Sequence, residues 1–429
     1  GTHTNTTYNT NTNLINLSSN QTTGNYISDI KDAVNSATWS TLAWVPNRPT
    51  GKALPNNGAT ETGYPTGNAN MTGSVLLMHL DEGSGVTTFT DSSGSNNGGT
   101  CSGTACPTMG VAGKFGSGGS FDGAANNIVI NKTFGGTTQV SVEAWVKVSG
   151  ETGGMQAIIS PTDLSFIHLQ LFSAGNIAVY TNSGTINLPI VNTTPLNTWK
   201  HIVVSVQSGN TNLYVNGVLV GNSSATFSSV KSTNNLHVGN GYSNGRFFKG
   251  TIDEVSIFNR ALSATEVNDT YKRGALSLKH QVRSCANSNC SDGTFIGPDG
   301  TANTYYSESS NTSNNTPSLS LSNVGNNRYF QYKSFLDTTD SALTPELKNV
   351  TISGSNSGSG GGGSSSSTTA NACLDISSAL TPNYITSIPF DPKTGSSNKT
   401  YYAIQKTGGG RINVQACSAE NGETISVTR

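Results

Sequence analysis

Hydrophobic residues along this 429-residue chain recur with a period of two in short runs, the spacing of half-buried β-strands. The segment VSVEAWVKV puts five apolar residues on one face: Val140, Val142, Ala144, Val146 and Val148. Further runs, WKHIVVSV and LYV, are separated by turns at Gly209-Asn210 and Asn216-Gly217, and an Asn-Gly pair is a strong hairpin signal. Because Glu, Lys, Leu and Ala are scarce, the pattern predicts an all-β protein.

Between residues 73 and 271 these runs follow a recognisable order. FDG is followed by VEAWVKV, WKHIVVSV and LYVNGVLVG, and the series ends in GTIDEVSIFNRALSATEV (250–267). This order resembles the laminin-G-like (concanavalin A-like) jelly rolls. The resemblance implies a jelly roll over 56–274, a closing strand carrying Asp253 and Glu254, and a turn into a short helix at Ser263. That fold usually serves recognition.

The two flanks of this region predict a second domain. Residues 1–55 supply about three strands, too few to bury a core alone, and 275–353 begin in the middle of a strand pattern. WSTLAW and LKHQVRS, followed by RYFQYK, resemble a β-sandwich of bacterial surface proteins. We therefore expect 1–55 and 275–353 to form one discontinuous sandwich with the jelly roll inserted, since jelly-roll termini lie close together. Three domains in tandem are the alternative.

The C-terminal part follows a Gly/Ser-rich linker over 354–370. Residues 371–429 resemble the last third of bacterial type IV pilins and pseudopilins, with YITSIPFDP, the pair Tyr401-Tyr402 and two short strands. The resemblance implies a small α+β module and self-association or other pilin-like subunits as partners. The hydrophobic N-terminal helix of that family does not occur in this sequence.

Charge and hydropathy exclude some classes of function. Only 11% of residues are charged and the net charge is −1, so no footprint for nucleic acid or an anionic membrane exists. No stretch reaches the ~18 apolar residues of a membrane span. The polar start GTHTNTTYNTNTN is no signal peptide, so we expect any export segment to lie outside this sequence.

Six cysteines fall into local pairs, which predict three disulfides: Cys101–Cys106, Cys285–Cys290 and Cys373–Cys417. The last pair would close the pilin-like module, as in many pilins. Disulfides persist in oxidising compartments, so the pairs favour an extracellular or cell-surface protein. A zinc site is the alternative, although CSGTAC and CANSNC lack a nearby His and a CxxC spacing.

The chain shows little sign of catalysis. Glycoside hydrolases of the concanavalin A-like fold need two carboxylates about 5–10 Å apart on one strand face. Glu143 stands alone on its strand, and the adjacent Asp253 and Glu254 are expected on opposite faces. The histidines occur singly. We therefore predict no catalytic residues and no enzyme activity.

A calcium ion is implied by the resemblance, because many of these jelly rolls hold one where first and last strands meet. Asp253 matches a ligand position, and Asp81, Asp91 and Asp122 lie in loops that sometimes supply further oxygens. The same aspartates could instead cap their own loops.

Residues on loops at one rim are candidates for ligand binding: Tyr180, Tyr242, Asn244 and Arg246, with Phe247 and Phe248. Carbohydrate sites stack a sugar on an aromatic ring and fix hydroxyls with polar groups. The alternative is a hairpin whose phenylalanines pack inward.

The leading hypothesis is an extracellular, non-catalytic surface or filament subunit, pilin-like, that displays a jelly-roll adhesion module. A carbohydrate-binding protein is the second hypothesis and a glycoside hydrolase the third. Glycans or a neighbouring cell surface are further candidate partners. The N-terminal stretch 2–17 could be the first strand of its own sandwich or be donated to the sheet edge of a neighbour.

Overall fold

The computed structural model describes residues 1–171, 176–181, 191–192, 196–226, 228–311 and 314–356, and the three strands 402–406, 412–416 and 426–428. It is 46% strand and 6% helix, which confirms the all-β prediction. None of the described helices is long and apolar enough to span a bilayer.

The strands are numbered in chain order. Before the jelly roll lie β1 (Thr2–Thr4), β2 (Thr6–Asn9), β3 (Leu14–Leu17), β4 (Thr23–Ile27) and β5 (Lys31–Pro46). The jelly roll contains β6 (Ser74–Met78), β7 (Thr88–Phe89), β8 (Gly99–Thr100), β9 (Thr108–Ala112), β10 (Ser117–Asp122), β11 (Ile128–Ile130), β12 (Gln139–Val148), β13 (Gln156–Pro161), β14 (Ile167–Leu171), β15 (Asn176–Thr181), β16 (Val191–Asn192), β17 (Trp199–Gln207), β18 (Thr211–Val215), β19 (Val218–Ser223), β20 (Leu236–Val238) and β21 (Lys249–Phe258). Helix α1 (Ala264–Ala275) precedes β22 (Leu276–Cys285), β23 (Tyr306–Ser307), β24 (Ser318–Ser320), β25 (Asn327–Thr338) and β26 (Leu347–Asn356). The last strands are β27 (Tyr402–Lys406), β28 (Ile412–Ala416) and β29 (Ser426–Thr428).

The strands on either side of the jelly roll form one ten-stranded sheet, the flanking sheet. Its main order is β1-β4-β25-β5-β26-β3-β2, with β22 beside β25 and β23, and β24 beside β5. Strands from both flanks alternate in this order, as the two incomplete sequence patterns indicate. The stretch 2–17 pairs within this sheet, since β1 pairs with β4 and β2 pairs with β3. This agrees with the interpretation that the N-terminus belongs to the sandwich of its own chain.

The length of β5 lets this sheet enclose a core. Its start pairs with β25, and from Ala37 onward it pairs with β26 and, near Leu42, with β24. Val34 has a φ of 67°, a left-handed conformation that bends the strand between these partners. Side chains from both groups of strands meet in one hydrophobic core, including Trp39, Trp44, Val282, Phe330 and Ile352.

The jelly roll consists of two antiparallel sheets. The first jelly-roll sheet has the order β19-β18-β17-β12-β21-β10-β9, with β6 on β21, and the second has the order β16-β15-β14-β13-β20-β11-β8-β7. The five apolar residues of β12, including Val142 and Val146, lie in the core between the sheets, as their period of two predicts. The other face of β12 presents Glu143 and Trp145, which are also buried.

Helix α1 covers the outer face of the first jelly-roll sheet. It begins at the predicted position with a capping box, in which Ser263 accepts from the N–H of Glu266 and the Glu266 carboxylate accepts from the N–H of Ser263. Val267 then packs against Val203 and Tyr214 of the sheet. The helix passes directly into β22, which returns the chain to the flanking sheet.

Residues 47–73 contain no strand and lie between the flanking sheet and the jelly roll in sequence, so the strands of the N-terminal flank end at Pro46 and not near residue 55. Leu54 and Met71 of this segment pack against the first jelly-roll sheet beside α1. The segment and α1 together therefore bury the outer face of that sheet.

A buried charge cluster, the junction network, joins this segment to α1. Glu61 accepts from Arg273 of α1 and from the Nζ of Lys52 at 3.0 Å, and all three side chains are buried. The Lys52 Nζ also donates to the Tyr64 hydroxyl at 3.0 Å, and that hydroxyl donates to Glu308 of the flanking region at 2.7 Å. Polar groups of the insert and its host are thus satisfied by one another.

Two of the predicted disulfides, Cys101–Cys106 and Cys285–Cys290, are confirmed. Cys373 and Cys417 lie outside the described residues, as do Tyr401 and the predicted C-terminal helix. Residues 354–356, predicted as the start of the linker, instead complete β26, where Gly354 pairs with Trp39. The Gly/Ser composition there did not prevent pairing, because these residues continue the ladder that β26 forms with β5 from Leu347 onward.

The C-terminal unit is a separate body, of which β27, β28 and β29 form an antiparallel sheet. The pair of β27 and β28 includes Ile404 and Val414, both predicted to lie on strands. Nothing else of residues 371–429 is described, so a pilin-like module stays a prediction.

Replacing Arg273 with Met should lower the free energy of unfolding by about 3–5 kcal/mol, because the Glu61 carboxylate keeps its burial and loses one of two cations. Urea denaturation of the full chain measures this change. The matched control is Arg328→Met, which removes an exposed ion pair to Asp32 and should cost less than about 1 kcal/mol. Equal losses in the two variants would contradict a stabilising role for the junction network.

Candidate functional site

The outer face of the second jelly-roll sheet carries a group of polar and aromatic residues. On β14 the apolar Ile167, Leu169 and Leu171 enter the core, so His168 and Gln170 take the other face. The β14–β15 register puts Tyr180 directly opposite His168 on that face. The loop after β20 adds Tyr242 and Arg246. We call these residues the recognition patch: His168, Gln170, Tyr180, Tyr242 and Arg246.

Arg246 is held from several sides. Its Nη1 donates to the Gln170 Oε1 at 2.5 Å, and its guanidinium carbon lies 5.0 Å from the centroid of the Tyr242 ring. Its backbone N–H donates to the Asn240 Oδ1 at 3.4 Å, and its carbonyl accepts from the N–H of Ala157 at 2.8 Å. The cation is therefore fixed against an aromatic ring and an amide.

His168 lies beneath this cation and is neutral near pH 7. Burial, and next the charge of Arg246, lower the pKa of His168 to about 4. Its Nδ1 lies 2.8 Å from the Ser160 hydroxyl, while no partner for its Nε2 lies among the described residues. The ring is 2% exposed and meets the Tyr242 ring edge to face at 6.5 Å between centroids.

Three residues of the patch are accessible to a ligand. Tyr180 and Tyr242 are half-buried and offer partly accessible aromatic surface, and the half-buried Arg246 offers polar atoms at its margin. Gln170 is fully buried, so its part is to hold Arg246. Of Asn244 only the backbone is described. Phe248 is buried in the core against Phe121, so the inward-packing alternative holds for that residue.

Two of the four predicted calcium ligands organise their own loops. The Asp122 Oδ1 accepts from the N–H groups of Ala124, Ala125 and Asn126. Asp91 likewise accepts from three backbone N–H groups, those of Leu77, Ser93 and Asn97. These are the contacts of loop-capping aspartates.

Asp253 and Asp81 do lie near one another, on either side of the loop 113–117. The Asp253 Oδ2 accepts from the N–H groups of Lys114 at 2.6 Å and Phe115 at 3.0 Å, and Asp81 accepts from that of Ser117 at 2.6 Å. Burial, and next the charge of Glu254, raise the pKa of Asp253 to about 8. Across the described residues, no three His, Cys, Asp or Glu side chains converge as metal ligands.

A β-bulge changes the expected orientation of Asp253 and Glu254. The β12–β21 register shifts between Glu143 and Trp145, and Glu254 has a φ of 50°. Ile252 and Val255 both enter the core, so the two acidic residues between them share the outer face. The prediction of opposite faces was wrong, because it assumed an unbroken alternation along the strand.

Glu254 is paired with His79, an interaction that the sequence did not indicate. The His79 Nδ1 lies 2.5 Å from the Glu254 Oε1, and its Nε2 lies 2.7 Å from the Asn56 Oδ1. Burial alone would lower the pKa of His79, but the Glu254 carboxylate raises it to about 9. Both ring nitrogens thus face acceptors, which suits an imidazolium ion.

Glu143 is engaged and enclosed. Its Oε1 lies 2.8 Å from the Nε2 of His201, and both side chains are almost fully buried. The His201 ring lies 4.9 Å from the Trp145 ring between centroids. The space beside Glu143 is a cavity of about 20 Å³, too small for a sugar ring.

Comparison with known families supports the jelly roll. Residues 121–268 match the family model of the concanavalin A-like lectin/glucanases superfamily. This match confirms the resemblance noted for this region. No curated protein matches the chain.

Solved structures with a similar fold include domain 4 of AbnA, an extracellular arabinanase from Geobacillus stearothermophilus, in complex with arabinotriose (22% identity, TM-score 0.36, 46% of this chain and 97% of that chain). The binding domain of Paraclostridial Mosquitocidal Protein 1 shows 18% identity, a TM-score of 0.38, and coverage of 51% of this chain and 62% of that chain. The ligand binding domain of botulinum neurotoxin serotype D, in complex with N-acetylneuraminic acid, shows 16% identity, a TM-score of 0.37, and coverage of 49% and 57%. The chain thus spans about three fifths of the latter two.

The pair of His79 and Glu254 should make stability depend on alkaline pH. The pKa of His79 is higher in the folded chain, about 9, than its ordinary 6.5, so its contribution is complete below pH 6.5 and is lost as pH rises through 9. We expect His79→Gln to lose less melting temperature than the wild type between pH 6.5 and 9.5. His237→Gln is the control, since the pKa of His237 is lowered and its effect falls below pH 6.5. Parallel losses in wild type and His79→Gln would refute this assignment.

Proposed function

We propose that the jelly roll is a non-catalytic carbohydrate-recognition module of an extracellular protein, and that the recognition patch is its binding site. The observation that carries this proposal is the contact of the half-buried Arg246 with both Tyr242 and the buried Gln170 on the outer face of the second jelly-roll sheet. An aromatic ring flanked by fixed polar groups is the usual composition of a sugar site. The description of the matched family, which includes lectins, supports it.

The position of the patch also supports the proposal. Helix α1 and the segment 47–73 bury the outer face of the first jelly-roll sheet, so that face is closed to a polymer. The second sheet turns its outer face away from this covering, since its inner face packs against the first sheet. A long glycan could therefore reach the patch without displacing any of these packed elements.

The absence of catalysis is part of the proposal. Among the described residues, Glu143 bonds to His201, Glu254 bonds to His79, and Asp253 accepts from three backbone N–H groups. These carboxylates lie on the covered face of the first sheet. A retaining or inverting hydrolase needs its carboxylates in contact with the sugar. The cavity at Glu143 does not admit one.

An extracellular location agrees with the two disulfides, which are stable in an oxidising compartment. A filament role with pilin-like partners rests only on the sequence resemblance of residues 371–429. The three described strands there do not distinguish a pilin from other small β-containing modules. We keep the filament role as a separate hypothesis.

A calcium ion at Asp253 and Asp81 is likewise proposed on the family resemblance. The pKa of Asp253 is raised by burial and next by the charge of Glu254, and a cation there would offset both effects. His79 and Lys114 lie close enough to supply positive charge themselves, and the described residues provide few free oxygens for the ion. If the ion binds, EDTA should lower the melting temperature and added Ca²⁺ should restore it. An unchanged melting curve would remove the site.

Tyr242→Ala should weaken polysaccharide binding by roughly tenfold, because the sugar loses its stacking surface and Arg246 loses its support. Affinity electrophoresis against starch, galactan, polygalacturonate and alginate measures this effect. Tyr8→Ala is the matched control, since Tyr8 is 50% exposed on the flanking sheet. The proposal predicts no release of reducing sugar from any of these polymers. Retention by none of them, or hydrolysis abolished by Glu143→Gln, would contradict it.

A further inference from the structure

Arg246 carries a positive charge, and it forms no ion pair with any carboxylate among the described residues. Asp163, a nearby exposed carboxylate, accepts instead from the N–H of Ser165 at 3.0 Å. His168 of the patch is neutral near pH 7, because burial, and next the charge of Arg246, lower its pKa. A half-buried cation in this setting favours an anion from outside the chain.

Most N–H donors of the Arg246 guanidinium have no hydrogen-bond partner among the described residues. Within the described part of the chain, its one hydrogen bond goes from Nη1 to the Gln170 Oε1, whereas a guanidinium has five N–H donors. The Tyr242 ring fixes the position of the group, and the backbone of Arg246 is anchored at both its N–H and its carbonyl. Little conformational entropy therefore remains to be lost when a ligand binds.

We propose that the recognition patch binds an acidic glycan, with Arg246 pairing with a carboxylate of a uronic or sialic acid residue while Tyr242 and Tyr180 contact the sugar ring. This inference rests on the proposed function and names its substrate class. A planar guanidinium matches a planar carboxylate in a two-point hydrogen bond, which is shorter and stronger than bonds between neutral groups.

The charge distribution of the chain indicates that an acidic sugar would be bound through Arg246 alone and not through a broad basic surface. The net charge is −1 and only 11% of residues are charged, so no basic surface attracts polyanions in general. Loss of one cation should then abolish the preference for acidic sugars. Affinity should fall only modestly with salt, because a single partly buried contact is screened less than a basic patch.

The test compares acidic polymers with their own neutral forms. Polygalacturonate, alginate, hyaluronate and a sialylated glycoprotein are each assayed before and after the carboxylates are removed, by chemical reduction for the uronates and by desialylation for the glycoprotein. We expect the 429-residue chain to bind at least one acidic form about 10- to 100-fold more tightly than its neutral counterpart, the range for a charge-assisted hydrogen bond. Heparin and its desulfated form test for sulfate in the same assay.

Arg246→Gln should remove this preference, and Arg246→Lys should retain only part of it because Lys lacks the planar fork. Arg328→Gln is the matched control, since it removes the same charge from an exposed pair on the flanking sheet. Equal melting temperatures verify folding. Equal binding of acidic and neutral forms, a preference that survives Arg246→Gln, or a preference for sulfate over carboxylate would each overturn the inference while the proposed function stands. Failure to retain any polymer, acidic or neutral, would overturn both.

Discussion

The buried pairing of Glu61 with Arg273 is the interaction on which the arrangement of the insert depends. Arg273 lies in the last turn of α1, just before β22 returns the chain to the flanking sheet. Glu61 lies in the segment 47–73, which leads into the jelly roll. The pair thus joins the segment that enters the jelly roll to the helix that leaves it. Because a buried charge without its partner is costly, both connections must be in place together for the charges to be satisfied.

This constraint explains which face of the jelly roll remains available. With the connections held by Glu61 and Arg273, α1 and residues 47–73 lie against the first jelly-roll sheet, where Val267 and Leu54 complete its packing. The carboxylates that the fold could have used for catalysis lie under this cover. The proposed recognition patch lies on the other sheet, where the alternation of β14 places the buried His168 and Gln170 on the outer face. The contacts of the insertion and the proposed patch therefore lie on opposite faces of the jelly roll.

Much of this architecture could be predicted from the sequence, because it follows from local patterns. The period of two on β12 and the incomplete patterns of the flanks each reflect short-range physics that one sequence displays, whereas the helix start at Ser263 was implied by the family resemblance. The bulge at Glu254 could not be predicted in this way, since a φ of 50° is uncommon for any residue but glycine and no neighbouring residue marks the position. The pairs Glu61–Arg273 and His79–Glu254 join positions 212 and 175 residues apart, which spacing alone does not connect. Tyr180, Tyr242 and Arg246 were proposed as rim residues, but the buried His168 and Gln170 beside them carry no sequence signal beyond their alternation.

The histidines show why residue type alone did not reveal the site. His79 faces the Glu254 carboxylate and has a raised pKa, about 9, whereas His168 lies near Arg246 and has a lowered pKa, about 4. Both rings are largely buried, so desolvation lowers the pKa of each, and the sign of the neighbouring charge decides the outcome. At His79 the protein supplies its own counter-ion, and the pair contributes to stability. At His168 the neighbouring charge is the Arg246 cation, which has no ion-pair partner among the described residues. This difference is what the proposed binding of an anionic sugar at Arg246 would use.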